Sequence, residues 1–384
     1  MKGGEVFTLT TKEIVGDVTR ASVSFSRLPK AVKPGDALYL NDGFIQLEVT
    51  QVEGDEVRCK VVVGGELRSR KGLNLPDIDL GITAFTDRDR ECLRFAMEQG
   101  VDAVSQSFVE SGKDIRAVRE AAKELGRNPF IIAKIERSRA LERFDEILDS
   151  VDGIMIARGD LGVEVPIERI AVVQKDLMRR ANRKGKPVIT ATQMLESMTT
   201  YRRPTRAEAT DVANAILDGT DALMLSGETA AGAYPLESLQ TMVRIAQRTE
   251  ADRFRAASAP FVRPAVTRDI AEAVSHAACE TARHLGAAAI ITPTASGQTA
   301  RMVSKYRPPM PILAVTPSPA VRRRLCMLWG VYPLLAKRTD STDEMVKDAV
   351  WAARSHGFVN PGDLVVLTAG AAGSAERLAI RPSD

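Results

Sequence analysis

The chain has 384 residues, of which 44% are hydrophobic and 27% are charged, and its formal net charge at pH 7 is +3. This length allows two or three domains with ample buried core, and the composition is that of an ordinary globular protein. So small a net charge, without a basic cluster interleaved with aromatic residues, argues against nucleic acid as a partner.

The sequence lacks the features of a membrane or secreted protein. No apolar run approaches the roughly 20 residues of a membrane span, and the amino-terminal MKGGEVFTLTT is not a secretory signal. We therefore expect a cytoplasmic protein that does not bind membranes. The cysteines show neither CxxC spacing nor a matched histidine, so we expect buried small hydrophobes and not a zinc site or a disulfide framework. They are Cys59, Cys92, Cys279 and Cys326.

Residues 1–80 predict a small β-rich domain. Short alternating or β-branched segments are separated there by turn signals, such as PG at 34–35 and EGD at 53–55. A basic turn follows in SRKGLNLP, where Lys71 and its neighbours, taken alone, are typical of a solvated surface. The predicted strands cover 6–9, 21–25, 37–40, 45–49 and 57–63.

Residues 81–255 predict a parallel sheet with covering helices. Strand and helix patterns alternate about every thirty residues, which is the rhythm of a parallel barrel. Apolar residues at 141, 144, 147 and 148 predict one helix between the second and third strands. The predicted strands cover 103–108, 130–136, 153–158, 187–192 and 222–226.

Three helices of this region are predicted to begin at capping boxes, in which a hydroxyl residue and an acidic residue three positions later cap each other's backbone amides. The pairs are Thr86 with Asp89, Ser111 with Asp114, and Thr205 with Glu208.

Charged residues stand where the second and third predicted strands end. Because side chains alternate along a strand, Lys134 and Glu136 project to the same side, and Asp160 follows the neighbouring strand. The carboxyl ends of parallel strands are where such folds collect their chemistry. Two carboxylates there suit a Mg²⁺ ion, and a lysine beside it can stabilise charge on a transferred group. The spacing equally allows an ion pair between Lys134 and Glu136 at a barrel rim.

Residues 263–384 predict a second α/β domain. Ser341 and Glu344 form another capping box. The loop TASGQTAR joins a strand to a helix start and offers hydroxyls and backbone amides suited to a phosphate, but it is equally compatible with a plain turn and N-cap. The candidate phosphate-binding residues are Thr294, Ser296, Gly297 and Thr299.

The predicted helices of this second α/β domain and its strands alternate along the chain. The helices cover 269–285, 297–305, 321–328 and 341–355, and the strands cover 289–292, 312–315 and 364–368.

Long segments of the chain closely resemble the corresponding segments of pyruvate kinases. They occur in the family's order and cover nearly the whole chain, which makes the resemblance highly specific. The segments are SRKGLNLP at 69–76, AKIE at 133–136, DGIMIARGDLGVEVP at 152–166, KPVITATQMLESM at 186–198, RPTRAEATDVANAILDGTDALMLSGETAAGAYP at 203–235 and TASGQTARMVSKYRP at 294–308.

The resemblance implies the last step of glycolysis, in which phosphoenolpyruvate gives its phosphoryl group to ADP, with Mg²⁺ or Mn²⁺, to form pyruvate and ATP. Lys134 would stabilise charge on the phosphoryl group and the enolate, while Glu136 and Asp160 would hold the divalent ion. Gly159 would offer its backbone amide to the substrate carboxylate. Thr192 would bind substrate and take part in proton delivery.

Further residues acquire roles through the same resemblance. Lys71 matches a nucleotide-contacting lysine of the family, and Ser107 and Phe108 match a pair that lines the site. Glu110 stands where a basic residue is common, an exchange that we expect to be neutral at the rim.

The resemblance also implies the fold: a partial TIM-type (β/α) barrel with an inserted β-rich lid and a carboxyl-terminal α/β sandwich domain. We expect the chain to begin inside the lid, so that three barrel strands and the family's K⁺ ligands would precede Met1. The resemblance further implies a homotetramer and a sugar-phosphate or nucleotide effector. Gln298 replaces a frequent basic residue of the effector loop, and we expect the tail at 369–384 to lack the family's final strand.

Two alternatives remain beside pyruvate kinase. The chain could be a catalytically impaired fragment or a regulatory paralogue of a pyruvate kinase. It could instead be another metal-dependent barrel enzyme acting on phosphoenolpyruvate or an enolate, although such an enzyme has no evident need for a lid with SRKGLNLP.

Overall fold

The strands of the computed structural model form three sheets within the part of the chain that it describes. That part comprises residues 1–41, 43–69, 71–76, 78, 83–255, 269–339, 341–369 and 377–382.

The amino-terminal sheet has six strands in the order β2-β1-β5-β4-β3-β6. Alternate residues of its strands are buried, as the period of two predicts, and they form one apolar core. β4 runs four residues beyond its predicted end, because its pairing with β5 continues through Gln51, Val52 and Glu53, of which only the half-buried Val52 is apolar. The elements are β1 Val6–Thr10, β2 Arg20–Ser22, α1 Leu28–Ala31, β3 Ala37–Leu40, β4 Ile45–Glu53, β5 Glu56–Val63 and β6 Leu73–Asn74.

The second sheet has five parallel strands that lie side by side in chain order. This arrangement confirms the predicted strand and helix repeat. The strands are β7 Ala103–Gln106, β8 Phe130–Ile135, β9 Gly153–Ala157, β10 Val188–Ala191 and β11 Ala222–Met224.

The helices of this region pack their apolar faces against the parallel sheet in one large core. The three predicted capping boxes are confirmed, each with both reciprocal hydrogen bonds. The helices are α2 Asp87–Glu98, α3 Gly112–Glu124, α4 Ser138–Glu142, α5 Phe144–Ser150, α6 Arg158–Glu164, α7 Ile170–Arg183, α8 Arg206–Asp218, α9 Gly227–Ala230 and α10 Pro235–Arg255, with 3-10 turns at Ile167–Arg169 and Glu196–Thr199.

The prediction of a single helix between β8 and β9 is wrong. The segment forms two short helices, α4 and α5, because Arg143 between them leaves the helical conformation, with φ −104° and ψ 20°. Of the predicted apolar set, Phe144, Ile147 and Leu148 are nevertheless fully buried, and Leu141 is half-buried. The apolar spacing therefore identified the buried face, but it could not reveal the break in the backbone.

The carboxyl-terminal sheet also has five strands, in the order β14-β13-β12-β15-β16, with β16 antiparallel and the others parallel. Helices cover both faces, since two separate apolar cores lie on opposite sides of β12 and β13. The elements are α11 Ile270–Leu285, β12 Ala289–Pro293, α12 Gln298–Ser304, β13 Ile312–Thr316, α13 Pro319–Leu325, β14 Val331–Leu335, α14 Thr342–Ser355, β15 Leu364–Ala369 and β16 Arg377–Pro382.

Two strands of this sheet depart from expectation. The tail was expected to lack a final strand, which is wrong, because Arg377–Pro382 pairs with β15 as β16. The strand Val331–Leu335 was not predicted at all, since it contains Pro333 and exposes Tyr332, features that an edge strand tolerates.

At α14 the structure shows the forward half of the predicted capping box, with the Ser341 side chain accepting from the Glu344 amide. The expected boundary at 255–263 lies almost wholly outside the described residues.

The cysteines divide into two classes, which corrects the expectation that all are buried. Cys59 and Cys279 are buried, whereas Cys92 and Cys326 are exposed, and all four are free. Burial raises the pKa of the Cys59 thiol to about 12, and it also raises the pKa of Cys279.

We predict that iodoacetamide labels the native chain at Cys92 and Cys326 at pH 8 and leaves Cys59 and Cys279 unlabelled. The thiolate is the reactive form, and a raised pKa keeps both buried thiols protonated at that pH. Peptide mapping by mass spectrometry reads out each site. Labelling in urea is the control, in which all four should react, and fast native labelling of Cys59 would contradict the prediction.

None of the helices in the described ranges is long and apolar enough to cross a membrane.

Candidate active site

The predicted site residues follow the carboxyl ends of neighbouring parallel strands. Ser107 follows β7, Lys134 and Glu136 close β8, Gly159 and Asp160 follow β9, and Thr192 follows β10. Because these strands are parallel and adjacent, their carboxyl ends meet at one edge of the sheet.

Lys134 is held between two groups at this edge. Its Nζ donates to Ser107 Oγ at 3.0 Å and forms an ion pair with Glu136, whose side chain is fully buried. The ion pair that the spacing allowed is therefore present, and it lies in the same cluster as Ser107. A lysine held in this way is well placed to act on a ligand at the strand ends.

The two oxygens of Glu136 have different surroundings. Oε2 accepts a hydrogen bond of 2.7 Å from the backbone amide of Phe108, which has φ +54° and turns the chain at the end of β7. Oε1 is buried, and its partner is the Lys134 ammonium in the ion pair. A carboxylate has about four lone-pair positions on its two oxygens, so Glu136 can accept from Phe108 and Lys134 and still serve a divalent cation as a ligand.

The described residues contain no group of three or more His, Cys, Asp or Glu side chains arranged to hold a metal ion. Asp160, half-buried in the first turn of α6, is the second candidate carboxylate. With two carboxylates, a Mg²⁺ ion would take its other ligands from water and substrate oxygens, as this ion commonly does. The predicted donor set is therefore suited to substrate-bound Mg²⁺.

Thr192 has an unusual backbone conformation. It has φ +68° and Gln193 has φ +51°, values that cost a residue other than glycine about 1 to 3 kcal/mol each. The side chain is engaged as well, because the amide of Gly159 donates to Thr192 Oγ1 at 2.7 Å. The structure thus joins two predicted substrate-binding groups, and the amide expected to meet the substrate carboxylate binds the threonine hydroxyl here.

A cleft of about 2020 Å³ lies between the amino-terminal sheet and the parallel sheet. Its lining includes Lys71, Ser107 and Asp160, so the structure brings these predicted residues to a common space. Lys134 contacts this lining through Ser107, and Thr192 contacts Gly159, which precedes Asp160. A nucleotide and a small anion could therefore be held together by both sheets.

Sequence reasoning missed an ionic network beside the cleft. Arg137 lies 3.3 Å from Glu110 and 3.3 Å from Glu164, which connects the segments that follow β7, β8 and β9. Glu110 also pairs with Arg139 at 3.5 Å. The exchange of a basic residue for Glu110 was expected to have no effect at the rim, but Glu110 is a partner of two arginines. No spacing rule joins these residues, and the only local signal was that Arg137 directly follows Glu136.

The segment after Thr192 is anchored by Glu208 at the start of α8. Glu208 accepts hydrogen bonds from the Ser197 amide at 2.7 Å, the Ser197 hydroxyl at 2.5 Å and the Thr205 amide at 2.7 Å. Burial by itself would raise the pKa of Glu208, but these hydrogen bonds outweigh it and lower the pKa. Because the pKa is lowered, this stabilisation is present above the unfolded-state pKa and is lost as the pH falls through the folded-state value.

The candidate phosphate loop in the carboxyl-terminal sheet is largely engaged with itself. Thr294 Oγ1 accepts from the Gly297 amide at 2.9 Å, and Thr299 is buried. Ser296 Oγ accepts from the Gln298 amide at 3.3 Å. Gly297 has φ +86°, and a Cβ there would lie 2.9 Å from Leu325, so glycine is required at this turn. These contacts favour the turn alternative, and phosphate binding stays a prediction.

Comparison with known proteins gives two family matches. The family model "Pyruvate kinase, barrel domain" matches residues 1–239, and "Pyruvate kinase, alpha/beta domain" matches residues 272–379.

Individual relatives are similar over almost the whole chain. It is 45% identical to a pyruvate kinase of Clostridium acetobutylicum, over 96% of this chain and 78% of that relative. It is 45% identical to a pyruvate kinase of Bacillus licheniformis, over 98% of this chain and 65% of the relative. It is 46% identical to one of Geobacillus stearothermophilus, with 96% and 64% covered. The chain thus spans less than two thirds of the length of the last two relatives.

Proposed function

The chain belongs to the pyruvate kinase family of phosphotransferases, as its motifs predicted, and we propose that the cluster around Lys134 transfers a phosphoryl group from phosphoenolpyruvate to ADP. The observation that carries this proposal is the contact of Lys134 with both Ser107 and Glu136 at the carboxyl edge of the parallel sheet. A cation held between a hydroxyl and a buried carboxylate can stabilise charge on a phosphoryl group that arrives from the cleft.

The proposed reaction breaks the bond between the enol oxygen and phosphorus and forms a bond from phosphorus to a terminal oxygen of ADP. Lys134 stabilises charge on the phosphoryl group and on the enolate that leaves. The enolate then takes a proton at its terminal carbon, for which Thr192 orders the delivering water. Lys71 holds the nucleotide from the opposite side of the cleft, and Gly159 orients the substrate carboxylate.

Glu136 and Asp160 are the proposed ligands of Mg²⁺ or Mn²⁺. When bound, such an ion supplies a Lewis acid that polarises substrate oxygens. The burial of the Glu136 carboxylate at the strand ends, with lone pairs beyond those that face Phe108 and Lys134, supports this assignment. K⁺ enters the proposal only through the family resemblance.

The wider assembly also belongs to the proposal. The family resemblance supports a homotetramer and an effector, which would bind at the loop of Thr294, Ser296, Gly297 and Thr299. The resemblance and the sequence pattern together support a cytoplasmic location and three domains, at 1–80, 81–255 and 263–384. The two family matches favour pyruvate kinase over the alternative of a different enolate enzyme.

We predict that the purified chain forms pyruvate and ATP in equal amounts from phosphoenolpyruvate and ADP, with Mg²⁺ and K⁺. Pyruvate is measured with lactate dehydrogenase and NADH, and ATP with luciferase. The control without ADP should give neither product, because the phosphoryl group then has no acceptor. Pyruvate without ATP would indicate hydrolysis, and no product from a folded chain would favour the impaired fragment or regulatory paralogue.

A further inference from the structure

The side chain of Arg158 reaches from the end of β9 to the end of β10. Its Nη2 donates to the backbone carbonyl of Thr192 at 2.7 Å, and its Nε donates to the carbonyl of Ala191 at 3.4 Å. The side chain is nearly buried. The guanidinium therefore contacts the backbone at the point where β10 ends.

Asp211, on α8, holds the guanidinium in this orientation. Both of its carboxylate oxygens accept from Arg158 Nη1, at 2.8 Å and 2.6 Å. A guanidinium is planar and offers several donors in a fixed geometry, so it can serve a carboxylate and a carbonyl at once. Arg158 thus connects helix α8 to the end of β10, the strand that precedes α8 in the chain.

The backbone that Arg158 contacts is the one that needs support. Thr192 and Gln193 have consecutive positive φ angles, which residues other than glycine rarely adopt unless surrounding contacts hold the backbone there. Gly159, the next residue after Arg158, donates to Thr192 Oγ1. Two consecutive residues of the β9 end therefore fix the carbonyl and the hydroxyl of the same threonine.

From this geometry we infer that Arg158, oriented by Asp211, is a positioning residue that sets the place of the Thr192 hydroxyl for the reaction. Arg158 acts through Thr192 and does not itself touch the reacting atoms. The inference rests on the proposed function, since it requires that Thr192 serve substrate binding and proton delivery.

The test compares Asp211→Asn and Arg158→Lys with the wild-type chain. Asp211→Asn keeps the shape of the side chain but removes the charge that orients Arg158, and lysine cannot serve Asp211 and the Thr192 carbonyl together. We expect kcat to fall about ten- to a hundredfold in both variants, as small misplacements of active-site groups cause, with an unchanged KM for ADP. The matched control is Asp176→Asn, which alters an exposed carboxylate of α7 that pairs with Arg179 and Arg180 and should leave kcat unchanged.

Hydrogen–deuterium exchange of the peptide spanning 188–199 provides a readout that does not depend on activity. Faster exchange there in Asp211→Asn, together with the loss of kcat, supports the inference. Unchanged exchange, or faster exchange with wild-type kcat, overturns it. A wild-type chain inactive with phosphoenolpyruvate and ADP overturns the proposed function, and exchange alone then decides whether Arg158 holds the segment.

Discussion

Lys134→Met is expected to lower kcat for pyruvate formation by about a thousandfold or more, since it removes the cation that is proposed to stabilise the transferred group. Methionine fills a similar volume but carries neither charge nor donor. The substitution also leaves the buried Glu136 carboxylate without its counter-charge, which lowers the stability of the fold, although the Phe108 amide still donates to it. The rate is measured by the coupled pyruvate assay at saturating substrate, and circular dichroism verifies that the variant is folded.

The matched control is Lys123→Met, at the exposed carboxyl end of α3. It makes the same substitution away from the strand ends and should retain wild-type kcat. If Lys134→Met kept more than a tenth of the wild-type rate, Lys134 would not have the proposed role.

Asp221→Ala is expected to destabilise the fold by about 3 to 5 kcal/mol, the usual cost of leaving one member of a buried ion pair without its counter-charge. Asp221 Oδ1 lies 2.7 Å from Arg307 Nη1, and the two side chains are 4% and 2% exposed. The same carboxylate accepts from the amides of Val188 and Trp329. It therefore connects the start of β10 with the carboxyl-terminal sheet region, and alanine would leave donors on both sides unsatisfied.

Trp329 offers a local probe of this contact, because Arg307 lies over its ring and its amide donates to Asp221. The chain has two tryptophans, so the measurement is best made in a Trp351→Phe background, where the fluorescence of Trp329 is read alone. Urea unfolding followed in this way gives the free energy of unfolding.

The control for Asp221→Ala is Glu91→Ala, which removes an exposed partner 2.9 Å from Arg88. Exposed pairs contribute at most about 1 kcal/mol, so this variant should change the free energy of unfolding little. Equal effects of the two substitutions would show that the buried pair does not stabilise the fold.

Local sequence patterns predicted the local structure well. The capping box at Thr205 and Glu208 involves residues three positions apart, and its reciprocal hydrogen bonds form as predicted. The apolar core of β8 was predicted from its composition, and the placement of Lys134 and Glu136 followed from the alternation of side chains along it. Strands with weak apolar patterns were missed, as Val331–Leu335 shows with its proline and its exposed tyrosine.

Contacts between distant parts of the chain could not be predicted in this way. Arg158 and Asp211 are 53 positions apart, and Asp221 and Arg307 are 86 apart. The residues next to either arginine in the sequence do not indicate which carboxylate it pairs with, because the packing of helices and sheets determines the partner. The positive φ angles of Thr192 and Gln193 could not be predicted either, since surrounding contacts hold a backbone conformation that these residues do not prefer.

The sequence by itself determined the family, the parallel strand and helix repeat, and the set of candidate residues at the strand ends. Each of these can be predicted from short stretches of consecutive residues. Only the tertiary structure decided which of those residues touch: Lys134 with Ser107 and Glu136, and Gly159 with Thr192. It also decided that the Arg158 guanidinium donates to the Thr192 carbonyl. The physical reason is that a strand fixes the direction of its own side chains, whereas the distance between side chains of different strands depends on the register and packing of the whole sheet.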